Sequence, residues 1–146
     1  MDKILLPTDG SKHSLKAARY ARKLLERSPL SSLTILHVSD IPKEVLAHGY
    51  MLEVTIDPQV IKDLTEEKTD QVINETKAVF QDGNFRIDIL TQIGNPVQII
   101  CELVEKEGYD LIIMGSRGLG EIKGLLLGSV SDRISHLAKC PVLIVK

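Results

Sequence analysis

Short apolar runs and longer amphipathic stretches alternate along the chain. The runs have the length of buried strands, and in the stretches apolar residues recur at intervals of three and four, which is typical of helices. Strands are predicted over 3–7, 33–38, 85–89, 109–114 and 141–145. Helices are predicted over 11–27, 59–80, 96–107 and 130–138. Residues 39–58 follow neither period and are predicted as a long loop or a short helix.

The polar positions inside these segments indicate which faces are buried. In the third predicted strand apolar residues alternate with Arg86 and Asp88, so this strand is expected to be half exposed at an edge of the sheet. The third helix is expected to begin with Asn95 as its N-cap and Pro96 as its first residue. The apolar side of the second helix is expected to hold Val60, Ile61, Leu64, Val72, Ile73 and Val79.

Alternating strands and helices predict parallel strand pairing through right-handed crossovers. Five such strands give an α/β fold, a doubly wound parallel sheet in a Rossmann-like α/β/α sandwich. With the strand order 3-2-1-4-5, the order reverses between the first and fourth strands, and ligands of such sheets bind beyond the carboxyl ends at that point. Thr8 and Asp9 leave the first strand there and Gly115 leaves the fourth, so two distant segments are expected to converge on one crevice.

A glycine-rich segment follows the fourth predicted strand. Gly115, Gly118, Gly128 and Ser129 lie between that strand and the last predicted helix. Glycines let backbone N–H groups approach an anion, and a helix N-terminus adds free N–H groups and the positive end of its dipole. The spacing predicts a phosphate site, with a loop that is merely rich in glycine as the alternative. The segment matches neither a Walker loop nor a dinucleotide fingerprint, because it lacks a Gly-Lys-Ser/Thr triplet and its glycines follow the wrong strand at the wrong spacing.

Composition narrows the classes of function. The chain has 146 residues, 43% of them hydrophobic, which suits one globular domain over 1–146. A net charge of −2 and an aromatic content of 3% argue against a nucleic-acid-binding surface and against base stacking. No apolar run approaches the roughly 20 residues that span a bilayer, and residues 1–7 lack the form of a signal peptide. A cytoplasmic location without membrane contact is therefore expected.

Residues suited to catalysis are sparse. Cys101 and Cys140 fit reduced buried thiols better than a disulfide, and the histidines show no metal-ligand spacing. The chain has no Gly-x-Ser-x-Gly elbow and no other recognisable activated nucleophile. No catalytic residue is assigned from these patterns.

The chain resembles the universal stress protein family over nearly its whole length. The resemblance is carried by Ile-Leu-Leu-Pro-Thr-Asp-Gly-Ser at 4–11, Ile-Leu-His-Val at 35–38, the segment 114–130 and Cys-Pro-Val-Leu-Ile-Val at 140–145. The ATP-binding subgroup of that family carries the motif G-x2-G-x9-G-[S/T]. The glycines at 115, 118 and 128, followed by Ser129, match this motif without gaps.

This resemblance implies ATP, or alternatively AMP or ADP, as a ligand that carries Mg²⁺. It implies that Asp9, with Pro7 and Thr8, lies beside the adenosine, and that Val38 contributes to the adenine pocket. The remaining implied residues are Met114, Gly115, Arg117 and Gly118 around the ribose and phosphates, and Gly128, Ser129 and Val130 against the phosphates. Backbone N–H groups, a hydroxyl and a guanidinium are suited to phosphate oxygens.

Three of these residues also have simpler interpretations. Asp9 can cap the first helix or end a turn, and Ser129 can cap the last helix while still contacting phosphate. Arg117 can be a solvated loop residue.

The resemblance also implies a homodimer, often formed through the last strands. Residues 142–145 are apolar enough for this, although burial by the chain's own helices explains them equally well. The main functional hypothesis is an ATP-binding regulatory or stress-response module, in which nucleotide orders residues 116–127 and changes a surface for a protein partner. The alternatives are an adenine-nucleotide enzyme, with slow hydrolysis or nucleotidyl transfer, and a structural dimer without nucleotide. The intact glycine pattern argues against the structural dimer.

Overall fold

Strands and helices alternate along the residues that the computed structural model describes, which are 2–43, 45–47, 56–119 and 126–146. The strands are β1 (Lys3–Pro7), β2 (Ser32–Ser39), β3 (Arg86–Ile93), β4 (Leu111–Gly115) and β5 (Val142–Val145). The longer helices are α1 (Lys12–Arg27), α2 (Pro58–Ala78), α3 (Pro96–Glu107) and α4 (Ser129–Leu137). Residues 45–47 lie in a short helical turn.

The sheet has the strand order β3-β2-β1-β4-β5 and its neighbouring strands are parallel, which confirms the predicted topology. β1 pairs with β2 over its full length, from Lys3 opposite Ser32 to Pro7 opposite Leu36. Its pairing with β4 is shorter and consists of Ile4 opposite Leu111 and Leu5 opposite Ile112. The central strand is therefore fully paired on one side and paired only near its start on the other.

Each face of the sheet is covered by two helices. Successive strand residues point to opposite faces, so Leu6 packs with α1 and α2 whereas its neighbour Leu5 packs with α3 and α4. Ala21 and Leu25 of α1 belong to the first of these apolar clusters. The sandwich thus has one core on each side of a sheet whose central strands are nearly continuous apolar runs.

The helix ends follow the local chemistry of the sequence. Asn95 caps α3, as predicted, and its side chain accepts a hydrogen bond from the Gln98 N–H at 3.1 Å. Pro96 occupies the first turn, where its missing N–H has no helical acceptor to lose. α3 ends at Gly108, whose φ of 65° is left-handed and is tolerated because glycine has no Cβ.

The predicted apolar side of α2 is partly wrong. Ile61, Val72 and Ile73 are buried, but Val60 and Leu64 are exposed. At 100° per residue, Leu64 lies about 120° and Val60 about 160° around the helix from Thr76. Thr76 is completely buried, so the buried face is centred near a threonine and leaves these two apolar residues in solvent.

Several element boundaries also differ from the predictions. β3 lies at the edge of the sheet, as expected, but it extends to Ile93 and most of its residues are exposed. α2 ends at Ala78 rather than at Phe80, because the chain turns over 79–83. Residues 44, 48–55 and 120–125 lie outside the described residues, and so do those parts of the predicted irregular and glycine-rich segments. Among the described helices, none has the length and apolar character needed to cross a membrane.

Candidate functional site

A pocket lies where the strand order reverses, beyond the carboxyl ends of β1 and β4. β1 leads into α1 on one face of the sheet, and the chain after β4 leads into α4 on the other. The two connections therefore diverge and leave a pocket of about 180 Å³ between them. This is the place where a doubly wound sheet binds its ligands.

Nine of the eleven residues predicted for the site line this pocket. They are Pro7, Thr8, Asp9, Val38, Met114, Gly115, Arg117, Gly118 and Val130. Gly128 and Ser129 are not among the lining residues and lie beside the pocket at the start of α4. The structure thus brings the two predicted segments together, while the role of each residue toward a ligand stays a prediction.

Asp9 connects the two walls of the pocket. Its Oδ1 accepts a hydrogen bond from the Ser11 N–H at 2.9 Å and thereby shapes the turn into α1. Its Oδ2 accepts one from the Leu119 N–H at 3.0 Å, 110 residues further along the chain. The N-cap of α1 is Ser11, whose side chain accepts from the Ser14 N–H at 3.2 Å. The interpretation of Asp9 as the helix cap is therefore wrong, whereas its role in the turn is confirmed.

Two glycines of the motif are explained by close packing rather than by left-handed backbone, and only at Gly115 are the close atoms backbone, which cannot move aside as a side chain can. A Cβ on Gly115 would lie 2.6 Å from the carbonyl carbon of His13 and 2.8 Å from the Ser14 nitrogen, both in the backbone of α1. A Cβ on Gly118 would lie 2.4 Å from Oδ2 of Asp9. Among the described glycines, positive φ angles occur at other positions in the chain. The motif therefore lets β4 approach α1 and lets the loop approach Asp9.

Beside the pocket, Thr8 joins three other elements. Its Oγ1 lies 3.2 Å from Ser14 Oγ in α1 and 3.0 Å from Thr76 Oγ1 in α2. His37 of β2 hydrogen-bonds through Nδ1 to the Thr8 carbonyl oxygen at 2.8 Å, and because a carbonyl only accepts, Nδ1 is the donor. The side chains of these four residues are all buried. Buried hydrogen bonds with two hydroxyl groups and an imidazole therefore hold the turn between β1 and α1 in place.

The start of α4 forms the other end of the pocket. Gly128 is the N-cap and has no side chain, so among the residues that the structure describes no N-cap side chain accepts from the first N–H groups of α4. The Gly128 N–H donates to the Ser116 carbonyl oxygen at 2.7 Å, and Ser131 Oγ donates to that same oxygen at 2.7 Å. Ser129 is the first residue of the helix rather than its cap, so that interpretation of Ser129 is wrong.

Sequence reasoning missed six residues that line the pocket. They are Ser14, Leu36, Asp40, Pro96, Ile100 and Ser131. Two of them carry a signal that the sequence contains, because Asp40 directly follows the second strand and Pro96 directly follows the predicted N-cap Asn95. Ser14 and Ile100 are placed only by the angles of α1 and α3 relative to the sheet.

The pocket combines charges of both signs. Asp9 and Asp40 are carboxylates and Arg117 is a cation at its rim. Mg²⁺ in proteins is often held by one or two carboxylates together with phosphate oxygens, and Asp9 and Asp40 are the carboxylates among the described residues that line the pocket. In the part of the chain that the structure describes, no group of three or more His, Cys, Asp or Glu residues is arranged to hold a metal by itself.

Both cysteines are half-buried and pack against the apolar cluster between the sheet and the helices α3 and α4. Burial raises the pKa of the Cys101 thiol, and the nearby Glu105 carboxylate raises it further. Burial likewise raises the pKa of the Cys140 thiol. Since the thiolate is the nucleophile, both cysteines are weaker nucleophiles near neutral pH than a free cysteine is.

Comparison with known proteins places the chain among relatives of one kind. The sequence profile of the universal stress protein family matches residues 1–146. The chain is 33% identical to universal stress protein MJ0531 of Methanocaldococcus jannaschii over 144 residues, which cover 99% of this chain and 81% of that protein.

Solved structures agree with the sequence comparison. The structure of MJ0577, another Methanocaldococcus jannaschii protein, is similar with a TM-score of 0.78 at 31% identity, covering 99% of this chain and 95% of that one. A universal stress protein in complex with cAMP is similar with a TM-score of 0.61 at 28% identity, covering 99% of this chain and 95% of that one.

Proposed function

The chain belongs to the universal stress protein family, and on that premise we propose that it is an ATP-binding regulatory or stress-response module. Residues 1–146 act as a single nucleotide-binding domain. The ligand is ATP, with ADP and AMP as the alternative adenine nucleotides. The complex of a related family member with cAMP supports an adenine nucleotide as the ligand class.

The observation that carries this proposal is the hydrogen bond between Asp9 and Leu119. It holds the end of β1 against the glycine-rich loop at the position where a sheet of this topology binds nucleotides. A carboxylate there can accept hydrogen bonds from two ribose hydroxyls, in exchange for its contact with the loop. Ligand binding at Asp9 is thereby connected to the position of the loop.

The two ends of the pocket suit the two ends of a nucleotide. Val38, Leu36 and Ile100 provide an apolar surface for the adenine ring beyond β2 and α3. On the other side, Arg117 and the N-terminus of α4 provide a guanidinium and backbone N–H groups for phosphates. Gly118 and Gly128 keep side chains out of the space between them, and Ser129 adds a hydroxyl at the helix start. The alternative role of Asp9 is to hold a Mg²⁺ ion that is bound with the phosphates.

The chemistry proposed at this site is binding, with hydrolysis slow at most. Phosphoryl transfer needs a positioned nucleophile and charge stabilisation in the transition state. Arg117 supplies charge, but among the described residues that line the pocket none is a histidine or a cysteine. We therefore propose that nucleotide acts through the loop on either side of 120–125, changing a surface that a protein partner recognises.

We further propose a homodimer in the cytoplasm, formed through β5. This strand is at the edge of the sheet, and its four apolar residues are only half-buried. An unpaired apolar edge is suited to pairing with a second copy.

Calorimetric titration with ATP and Mg²⁺ tests the ligand. The wild type is expected to bind in the micromolar range and Asp9→Asn about tenfold more weakly, because a charge-assisted hydrogen bond to the ribose is lost. Asp88→Asn, on the exposed edge strand β3, is the matched control with the same change in charge and is expected to bind as the wild type does. Titration with ADP, AMP and GTP identifies the nucleotide.

A folded wild type that binds none of these nucleotides would overturn the proposal. Equal binding of GTP and ATP would contradict the adenine pocket at Val38 while leaving the phosphate site in place. Steady release of phosphate at rates typical of an ATPase would favour the enzyme alternative.

A further inference from the structure

One face of α1 carries a continuous line of positive charge. Lys12, Lys16, Arg19, Lys23 and Arg27 are all exposed, and we call these five residues the cationic stripe. At 100° and 1.5 Å per residue they fall within an arc of about 80° and extend over about 22 Å. The opposite side of α1 is its buried face, which consists of Ser14, Ala17, Ala18, Ala21 and Leu25.

The cationic stripe itself contains no acidic residue. Arg22, which lies outside the stripe, pairs with Glu26 at 2.9 Å and contacts the Val79 carbonyl oxygen and the Phe85 ring, in the connection between α2 and β3. None of the five stripe residues takes part in an ion pair among the described residues. Like charges three and four residues apart destabilise a helix, so the stripe is a local cost to folding that a bound anion would relieve.

A helix face that contacts only solvent usually carries both positively and negatively charged side chains. The exposed face of the neighbouring helix α2 is of this kind. The exposed residues of α2 include Lys62, Asp63, Glu66, Glu67 and Lys68. α1 has six cations and one acidic residue, a net charge of +5, whereas the whole chain has a net charge of −2. The residues outside α1 therefore carry a net charge of −7, and the positive charge is concentrated on this one helix.

We propose that the cationic stripe is a docking surface for an acidic segment of a partner protein, with carboxylates repeated over about 22 Å. The net charge of −7 outside α1 favours a segment of limited length, because a DNA duplex or an anionic membrane extends beyond the stripe and is repelled by that net charge. The apolar side of α1 is also occupied by the core, so the helix has no face to insert into a bilayer. Tyr20, exposed at the edge of the stripe, adds an aromatic contact.

This surface begins beside the pocket. α1 starts directly after the Asp9 turn, and its first turn packs against Gly115. The proposal nevertheless does not depend on nucleotide, because none of the five stripe residues lines the pocket.

Fluorescence anisotropy of a fluorescein-labelled oligoglutamate peptide tests the proposal. The triple variant Lys16→Glu, Arg19→Glu, Lys23→Glu is expected to bind the peptide at least about tenfold more weakly than the wild type. The matched control is Lys62→Glu, Lys68→Glu, Lys77→Glu on α2, which changes net charge by the same amount at exposed positions. The control is expected to retain most of the affinity, and wild-type binding is expected to weaken as salt is added.

Circular dichroism and thermal unfolding establish that each variant is folded before the comparison is made. Equal loss of affinity in both triple variants would overturn the proposal, because only net charge would then matter. No binding of the peptide by the wild type would overturn it as well. Tighter binding of a DNA duplex or of phosphatidylserine vesicles than of the peptide at the same ionic strength would replace the acidic segment with that partner.

Discussion

The two walls of the pocket are held by different kinds of contact. The wall after β1 depends on side chains, with Thr8 and Asp9 hydrogen-bonded to groups in other elements. The wall after β4 depends on the absence of side chains, since a Cβ on Gly115 would collide with the backbone of α1 and a Cβ on Gly118 would collide with the Asp9 carboxylate. The first wall is thus sensitive to the loss of a polar atom and the second to the gain of a carbon atom.

The largest effect is expected from Gly115→Val. Its Cβ would lie 2.6 Å from backbone of α1, so the helix must move or the strand must bend. The free energy of unfolding, measured in urea, is expected to fall by about 3 kcal/mol. Gly128→Val is the comparison, because its Cβ would meet the Arg117 Cα at 3.2 Å in a loop, and a loss of about 1 kcal/mol is expected. Equal losses would show that β4 does not depend on contact with α1.

Thr76→Val tests the wall that depends on side chains. It removes the hydroxyl that meets Thr8 at 3.0 Å in a fully buried position, and a loss of about 1–2 kcal/mol in unfolding free energy is expected. Thr65→Val on the same helix is the control, because its hydroxyl bonds only to carbonyls of its own helix. A control that loses as much stability as Thr76→Val would assign the effect to helix propensity instead.

Gly118→Ala tests the hydrogen bond that connects the two walls, from the Leu119 N–H to Asp9. A Cβ at this position would lie 2.4 Å from Oδ2 of Asp9, so the carboxylate must shift and its hydrogen bond from the Leu119 N–H is lost. Amide exchange at Leu119 is expected to become several-fold faster, corresponding to about 1 kcal/mol. An unchanged exchange rate would mean that this hydrogen bond does not hold the loop in solution.

The smallest effect is expected in the reactivity of the two cysteines. Since burial raises the pKa of both Cys101 and Cys140, less thiolate is present at a given pH, and alkylation by iodoacetamide is expected to be slower than for free cysteine. The pH midpoint of the reaction is expected to move to the alkaline side. Cys101→Ser assigns the remaining rate to Cys140, and a midpoint on the acidic side for either residue would contradict its burial.

The fold could be predicted because its signals are local. The central strands are nearly continuous apolar runs, and Asn95 with Pro96 marks a helix start within two residues. The face of α2 could not be predicted, since Thr76 is buried through a partner 68 residues away. Counting apolar residues placed Val60 and Leu64 inside, whereas the angle of the helix places them outside.

The site was predictable to the extent that topology alone defines it. The ends of β1 and β4 meet because the strand order reverses there, and this was enough to bring Asp9 and Gly118 together. The reason for Gly115 was not predictable, because the atoms it must avoid belong to α1, about a hundred residues earlier in the chain. The prediction of pocket residues missed Ser131 and Ile100 for a related reason, because the orientation of a helix determines which residue of each turn lines the pocket.

The short pairing between β1 and β4 has a consequence for how such a site can diversify. Beyond Leu5 and Ile112 the two strands are held from their outer sides, β1 by β2 and β4 by β5. The first part of each strand is therefore paired in the β1–β4 ladder, and the second part, after Leu5 in β1 and after Ile112 in β4, is not. Substitutions in the second part can change ligand recognition and still leave the hydrogen bonds between β1 and β4 in place. Ligand recognition can therefore change while the central ladder stays intact, although Ile113 in the core and Gly115 against α1 remain constrained by packing.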